Sequence, residues 1–173
     1  MDNFIQKYTI PKKICDKFIN YHKENLEYKH KEEREGKKSL SVFFYNHSTT
    51  PFIQDFFNKM SNSVQEYINK YNIIYSLKTY VCNHIQYYKP NEGYPGLHYE
   101  RDSSESSERE LVYMLYCNTV KNGGTHFPNQ NKTLKANKGD LYIWPAGFTH
   151  SHQGVISKTE EKYIVTGWLN ILK

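Results

Sequence analysis

Long apolar runs are absent from this sequence. No stretch approaches the roughly 20 consecutive apolar residues of a membrane-spanning helix, and residues 1–7 lack the apolar segment of a signal peptide. The mean hydropathy of −0.82 agrees, and no membrane partner is expected. Cysteine is sparse as well. Cys15, Cys82 and Cys117 are odd in number, widely spaced and form no C-x-x-C, which argues against a disulfide framework or a zinc ribbon and makes a reducing cytoplasm the expected setting. Nor does one charge dominate. A formal net charge of +5 is mild beside that of a dedicated nucleic-acid binder, and it reads as a soluble, lysine-rich surface. Repeats and linkers are missing too, and 173 residues suffice for one domain with a full core but not for two comfortable ones.

Aromatic residues, by contrast, make up 16% of the chain, 16 of them tyrosines, so the core has many hydroxyls to satisfy and some can face a polar site. The first part of the chain has helical character. Residues 11–35 open with Pro11, set Ile14, Phe18 and Leu26 on one stripe, and run into the charged segment Lys29 to Gly36, which predicts one amphipathic helix with a solvated end and a glycine stop. Residues 39–45 predict a short strand or extended crossing. Thr50-Pro51 then offers a cap and a first-turn proline for a second helix, along which Phe52, Phe56, Met60, Val64, Ile68 and Tyr71 recur at helical spacing. That stripe is core, and it should pack on a sheet.

From Tyr80 onward, short β-rich runs alternate with Gly, Pro and Asn turns. Strands are expected at 80–88, 97–101, 110–117, 125–127, 133–135, 141–144, 149–155 and 162–169, enough to close or nearly close a barrel or sandwich. The fold class is therefore α+β, mainly β, with 1–78 as mainly helical support and 79–173 as the β core. Residues 102–108 are small and polar, and they predict a mobile loop that serves equally well as a lid or as plain surface.

One constellation carries chemistry. In Gly96-Leu97-His98-Tyr99-Glu100 an extended backbone would send His98 and Glu100 to the same face, where they can grip one ion together. A third donor is available in Thr149-His150-Ser151-His152, ahead of the strand that begins at Lys162. Two imidazoles and one carboxylate, with coordination positions left open, suit non-haem Fe(II) and oxygen chemistry. The same donors would serve zinc or nickel in a cupin-type metal-binding barrel. His22, His30, His47, His84 and His126 have no partner at useful spacing and are read as surface or core residues.

With these residues assembled, the chain resembles the Fe(II)- and 2-oxoglutarate-dependent dioxygenases, and within them the prolyl 4-hydroxylase-like branch. Further pieces carry the resemblance in the family's order. Ile85-Gln86-Tyr87-Tyr88-Lys89-Pro90-Asn91-Glu92-Gly93-Tyr94 is similar to the strand and turn before the first histidine, and Leu115-Tyr116-Cys117-Asn118 to a Tyr-Leu-Asn strand end. Gly123-Gly124-Thr125-His126-Phe127 resembles a Gly-Gly-x-Thr-x-Phe segment one residue longer, and Lys162 to Trp168 the last core strand. The resemblance implies a double-stranded β-helix (jelly-roll) core with the N-terminal helices packed on one sheet.

It also implies roles. His98, Glu100 and His152 would be the metal triad and catalytic centre for Fe(II) and O2. Lys162 would pair with the distal carboxylate of the cosubstrate 2-oxoglutarate, Tyr88 would hydrogen-bond that cosubstrate, and Tyr116 is a weaker match. Thr166 lies on the face of Lys162 and adds a hydroxyl there, whereas Trp168 shares the face and is read as core. His152 is preferred to His150 because Lys162 lies 10 residues past the former and 12 past the latter, and 10 is the branch's usual separation. Most of the family carries His-x-Asp, so this chain reads as a His-x-Glu variant whose longer carboxylate alters the coordination geometry. The implied reaction is hydroxylation of a peptidyl proline with release of succinate and CO2; a free amino acid or other small-molecule substrate is the alternative. Nucleic acid is not an expected partner, because the related dealkylases carry an Arg at the basic position and a second Arg six residues on, where this chain has Trp168.

Overall fold

A computed structural model describes residues 2–34 and 36–172. In chain order the elements are β1 (Gln6–Thr9), α1 (Lys12–Glu24), β2 (His30–Arg34), β3 (Lys37–Tyr45), α2 (Pro51–Tyr71), β4 (Leu77–Thr79), β5 (Cys82–Tyr88), β6 (Arg109–Tyr116), β7 (Val120–Phe127), β8 (Lys132–Ala136), β9 (Asp140–Pro145), β10 (Gln153–Gly154) and β11 (Lys162–Ile171). Among the described residues, neither helix is long and apolar enough to cross a membrane.

The two helices bury one stripe each. On α1 the buried residues are Ile14, Cys15, Phe18 and His22, and on α2 they include Ile53, Phe56, Met60, Val64 and Tyr67. Pro51 opens α2 at its first turn, although the Thr50 side chain makes no capping hydrogen bond, and Asn72 closes the helix in the left-handed region at φ 50°. Phe18 meets Phe56 edge to face at 5.0 Å and Phe44 of β3 at 5.2 Å, so the aromatic stripe packs on the sheet as expected.

The first helix is shorter than its predicted span. It ends at Glu24, and the charged run that follows forms β2, paired antiparallel with β3 from His30↔Ser41 to Arg34↔Lys37. An all-polar run lacks the alternation that marks a half-buried strand, yet on a sheet edge its backbone finds partners while its side chains stay wet. Lys37 turns inward and is neutralised by Glu32 at 2.6 Å. The side chain of Leu26, expected on the buried stripe, lies outside the described residues, as do Glu35 and the side chain of Arg34.

Two antiparallel sheets face each other. The large one has the order β1-β9-β6-β11-β5-β3-β2, with β4 added beside β11, and the small one runs β10-β7-β8. Strand alternation gives the large sheet two faces. Ile85, Leu111, Tyr113, Leu115, Leu141, Tyr163 and Val165 pack with the helices, whereas Val112, Met114, Tyr116, Trp144, Ile164 and Trp168 gather with Phe127 and Leu134 of the small sheet. This is the jelly-roll, double-stranded β-helix arrangement, backed by helices on one side. The N-terminal 78 residues are more than helical support, because they also supply β1 to β3 and part of β4 to the large sheet.

Two expected strands are reduced. Residues 97–101 and 149–155 hold only an isolated antiparallel bridge, His98↔His152, and the two-residue β10; Phe148–His150 is a single 3-10 turn. Residues 102–108 form a compact turn around Ser106, which is 3% exposed and whose hydroxyl accepts hydrogen bonds from the backbone N–H of Asp102 and of Ser103, each at 2.9 Å.

Candidate active site

Between the two sheets lies a cavity of about 340 Å3. The inward residues of β5, β6, β9 and β11 form one wall and the small sheet the other. All seven residues singled out in the sequence line it: His98, Glu100, His152, Lys162, Tyr88, Tyr116 and Thr166.

His98 and His152 sit opposite each other because their backbones exchange hydrogen bonds, N–H of His98 to O of His152 at 3.0 Å and the reverse at 2.8 Å. Each ring is then oriented from behind. Nδ1 of His98 bonds the Gly96 carbonyl at 2.8 Å and Nδ1 of His152 bonds the His150 carbonyl at 3.0 Å. A carbonyl can only accept, so Nδ1 carries the proton and Nε2 presents its lone pair to the cavity. Glu100 completes the cluster. Its Oε1 lies 3.7 Å from His98 Nε2 and 3.5 Å from His152 Nε2, and one donor atom from each of the three residues lies within 4.8 Å of the others.

Charge follows the same geometry. Burial, with His152 alongside, holds His98 neutral by pushing its pKa down to about 4. Burial works against ionisation of Glu100, but the His152 and His98 rings facing Oε1 and the Trp168 indole N–H outweigh it and hold the carboxyl at about 2. The neutral His98 imidazole and the ionised Glu100 carboxylate are in the ligand states a divalent metal needs.

A cation stands in the same cavity. Lys162 pairs with Tyr88 across the β5–β11 ladder and is 5% exposed. Its ammonium donates to the carbonyls of Gly123 at 3.0 Å and Val155 at 3.1 Å and lies 5.2 Å above the Tyr88 ring. No carboxylate contacts it among the described residues, and burial pushes its pKa down to about 8. Two of its three N–H donors are used, which leaves one for a ligand. The Gly123 carbonyl is presented by a break in the β7–β8 register between Val120 and Thr125. A side chain at Gly124 would place its Cβ 1.7 Å from the Leu134 carbonyl, so this close approach requires glycine.

The hydroxyls are neutral. Burial holds Tyr88 and Tyr116 well above the ordinary tyrosine range; Tyr88 donates to Gln86 at 3.0 Å, and Tyr116 shares a hydrogen bond with Thr125 at 2.7 Å. Thr166 lines the cavity on the face of Lys162.

His150 points elsewhere. Its Nε2 donates to the Asn3 carbonyl at 2.9 Å and its Nδ1 meets the Thr149 hydroxyl at 3.0 Å. It does not share a strand face with His152, since it belongs to the 3-10 turn.

Sequence reasoning undervalued several residues. Trp168, read as core, donates its indole N–H to Glu100 Oε2 at 2.9 Å. Arg109 holds its guanidinium carbon 3.7 Å from the centre of the Trp168 ring and donates to the Glu100 carbonyl at 2.9 Å. Tyr94 stacks on His98 at 3.7 Å, and His84 lines the cavity against Trp168 at 5.3 Å. The i, i+2 rule already placed Trp168 on the site's face; nothing in the sequence marked Arg109.

Known proteins decide the family. The model of the 2OG-Fe(II) oxygenase superfamily matches residues 83–170, half of the chain. The chain belongs to the 2OG-Fe(II) oxygenase superfamily. Members use Fe(II), 2-oxoglutarate and O2, and the protein is a dioxygenase of that kind. Three solved structures share the fold. Viral collagen prolyl hydroxylase from Paramecium bursaria Chlorella virus-1, solved as a 2OG complex, superposes with a TM-score of 0.76 at 21% identity over 98% of this chain and 97% of its own. A Pseudomonas putida prolyl-4-hydroxylase gives 0.77 at 13% over 98% and 94%. A Trichoplax adhaerens prolyl hydroxylase, solved with a hypoxia inducible factor peptide fragment, gives 0.76 at 13% over 97% and 84%. No curated protein matches the sequence. The donor set fits the Fe(II) of this superfamily: two imidazole nitrogens and one ionised carboxylate converge within 4.8 Å of one another.

Proposed function

We propose that the protein is a prolyl 4-hydroxylase-like dioxygenase in which His98, Glu100 and His152 hold Fe(II) and Lys162, with Tyr88, Tyr116 and Thr166, holds 2-oxoglutarate. The observation that carries this reading is the shared cavity: the three convergent donor atoms and a buried ammonium with no carboxylate partner among the described residues line the same 340 Å3 space. A cupin-type metal barrel has no need of that cation, whose desolvation is unfavourable until an anion meets it.

Bound iron and cosubstrate supply the oxygen-activating chemistry, in which 2-oxoglutarate gives succinate and CO2 while the substrate is hydroxylated. The chain's own residues do the placing. The Gly96 and His150 carbonyls aim the two imidazoles, Lys162 offers its free N–H to a carboxylate, and the Tyr88 and Thr166 hydroxyls add polar contacts on the same wall. The substrate is a proline in a peptide. Support comes from the prolyl hydroxylase neighbours, one of them holding a peptide fragment. The whole of 1–173 is one dioxygenase domain, a reading supported by strands from both parts of the chain in a single sheet. Its three cysteines are free thiols, in keeping with a reducing cytoplasm.

The test is an anaerobic titration of the protein with Fe(II) and 2-oxoglutarate, followed by visible absorption for the charge-transfer band of the chelate. The band is expected, and Lys162→Ala should abolish it at limiting 2-oxoglutarate. Succinate release would then rise on addition of proline-containing peptides. Metal binding without the band would replace this reading with the metal-barrel one, and turnover with free amino acids alone would reassign the substrate.

A further inference from the structure

The two oxygens of Glu100 are treated differently by their surroundings. Oε1 faces both imidazoles, at 3.7 and 3.5 Å from their Nε2 atoms. Oε2 faces away, where it accepts the Trp168 indole N–H at 2.9 Å and lies 3.8 Å from Arg109 Nη1. That guanidinium also covers the Trp168 ring at 3.7 Å and donates to the backbone carbonyl of Glu100 at 2.9 Å. One arginine therefore ties down the main chain of the carboxylate residue and the indole that holds its side chain.

We infer that Trp168 and Arg109 form a brace that commits Glu100 to binding the metal through Oε1 alone. The argument is one of reach and freedom. Glutamate has one more rotatable bond than aspartate, so an unrestrained Glu100 could swing both oxygens onto an ion or none. A donor fixed on Oε2 restricts that freedom: while the indole bond is made, the carboxylate is held with Oε1 toward the two imidazoles and Oε2 toward Trp168. Residues behind a metal ligand set its orientation and basicity, and removing such a partner typically weakens metal affinity about 10–100-fold. Trp168 and Arg109 are thus positioning residues, since neither offers the metal an atom.

This inference rests on the proposed triad, and the experiment separates the two. Co(II), whose visible bands report coordination number, is titrated into the wild-type protein, into His152→Ala and into Trp168→Phe, which keeps an aromatic ring but lacks the N–H. The expected result is tight binding by the wild type, loss in His152→Ala, and in Trp168→Phe an affinity about tenfold weaker with an altered band pattern. A tryptophan that only packs would change the melting temperature and leave the bands alone. Unchanged affinity and bands in Trp168→Phe overturn the brace while leaving the triad standing, and absence of binding by the wild type overturns both. Should Trp168→Phe fail to fold, Arg109→Met, which removes the guanidinium behind the indole, is read in the same way.

Discussion

Lys162 and Tyr88 are direct partners across the β5–β11 ladder, so a buried cation of the cavity and one of its buried hydroxyls are fixed relative to each other by backbone pairing as well as by the contact of the ammonium with the ring. The ammonium is thereby held in a fixed place in the cavity wall.

Replacing Lys162 by Met should weaken 2-oxoglutarate binding by roughly 10–100-fold, the range for a hydrogen bond to a charged group. Fe(II) affinity should stay within about twofold, since the ammonium contacts neither imidazole. Calorimetric titration of both ligands reads the two effects separately, and an unchanged 2-oxoglutarate affinity would remove Lys162 from the cosubstrate site.

The same residue gives a pH dependence. Burial lowers the Lys162 pKa to about 8, so in the ligand-free protein the ammonium is charged below that pH and loses its proton above it. Cosubstrate binding favours the charged form. Affinity for 2-oxoglutarate should therefore be level up to about pH 8 and then fall by up to tenfold per unit. A binding curve flat to pH 10 would contradict the assignment.

The two neighbouring histidines should separate cleanly. His150→Ala removes the bond to the Asn3 carbonyl and should cost about 1–2 kcal/mol of stability while Fe(II) binding persists. His152→Ala, like Glu100→Gln, should cripple Fe(II) binding. Iron retained in His152→Ala and lost in His150→Ala would interchange the roles of His150 and His152.

Gly124→Ala tests the narrow contact between β7 and β8. A Cβ there would overlap the Leu134 carbonyl, which must move, at a cost of about 3 kcal/mol. A thermal melt should show the loss, and 2-oxoglutarate affinity should fall with it because the Gly123 carbonyl that holds Lys162 shifts. Wild-type stability would mean that the small sheet yields freely.

Ser106→Ala should loosen the turn that follows Glu100. Two backbone N–H groups lose their acceptor, at about 1–2 kcal/mol, and hydrogen exchange across 102–108 should quicken without change elsewhere. Identical exchange in the variant would show that packing alone orders the turn.

Legibility in the sequence followed burial. α2 was readable because Phe56, Met60 and Val64 all fall on its buried face, and β11 because Lys162 to Leu169 runs nearly unbroken through the centre of a covered sheet. The hairpin of β2 was not, since edge strands carry charge and show no alternation. The three donors converge without the expected strands: His98 and Glu100 meet although only His98 makes a bridge, because the Glu100 and Arg101 N–H groups both bind the Ala146 carbonyl and bend the chain there. Arg109 was invisible because its partners, Glu100 and Trp168, are remote in sequence and its position opens a strand rather than completing a motif.

Alternation along β11 has a consequence for how this protein tolerates change. Lys162, Ile164, Thr166 and Trp168 look into the cavity, whereas Tyr163, Val165 and Leu169 hold the helices, so neighbouring codons answer to different demands. A saturation scan of this one strand, scored once for abundance and once for turnover, would yield two interleaved combs. Losses of folding alone would mark the odd teeth; among the even ones Lys162 and Thr166 would lose chemistry, while Ile164 and Trp168, which also pack against the small sheet, would lose both, so re-tuning for new substrates is least costly to folding at Thr166.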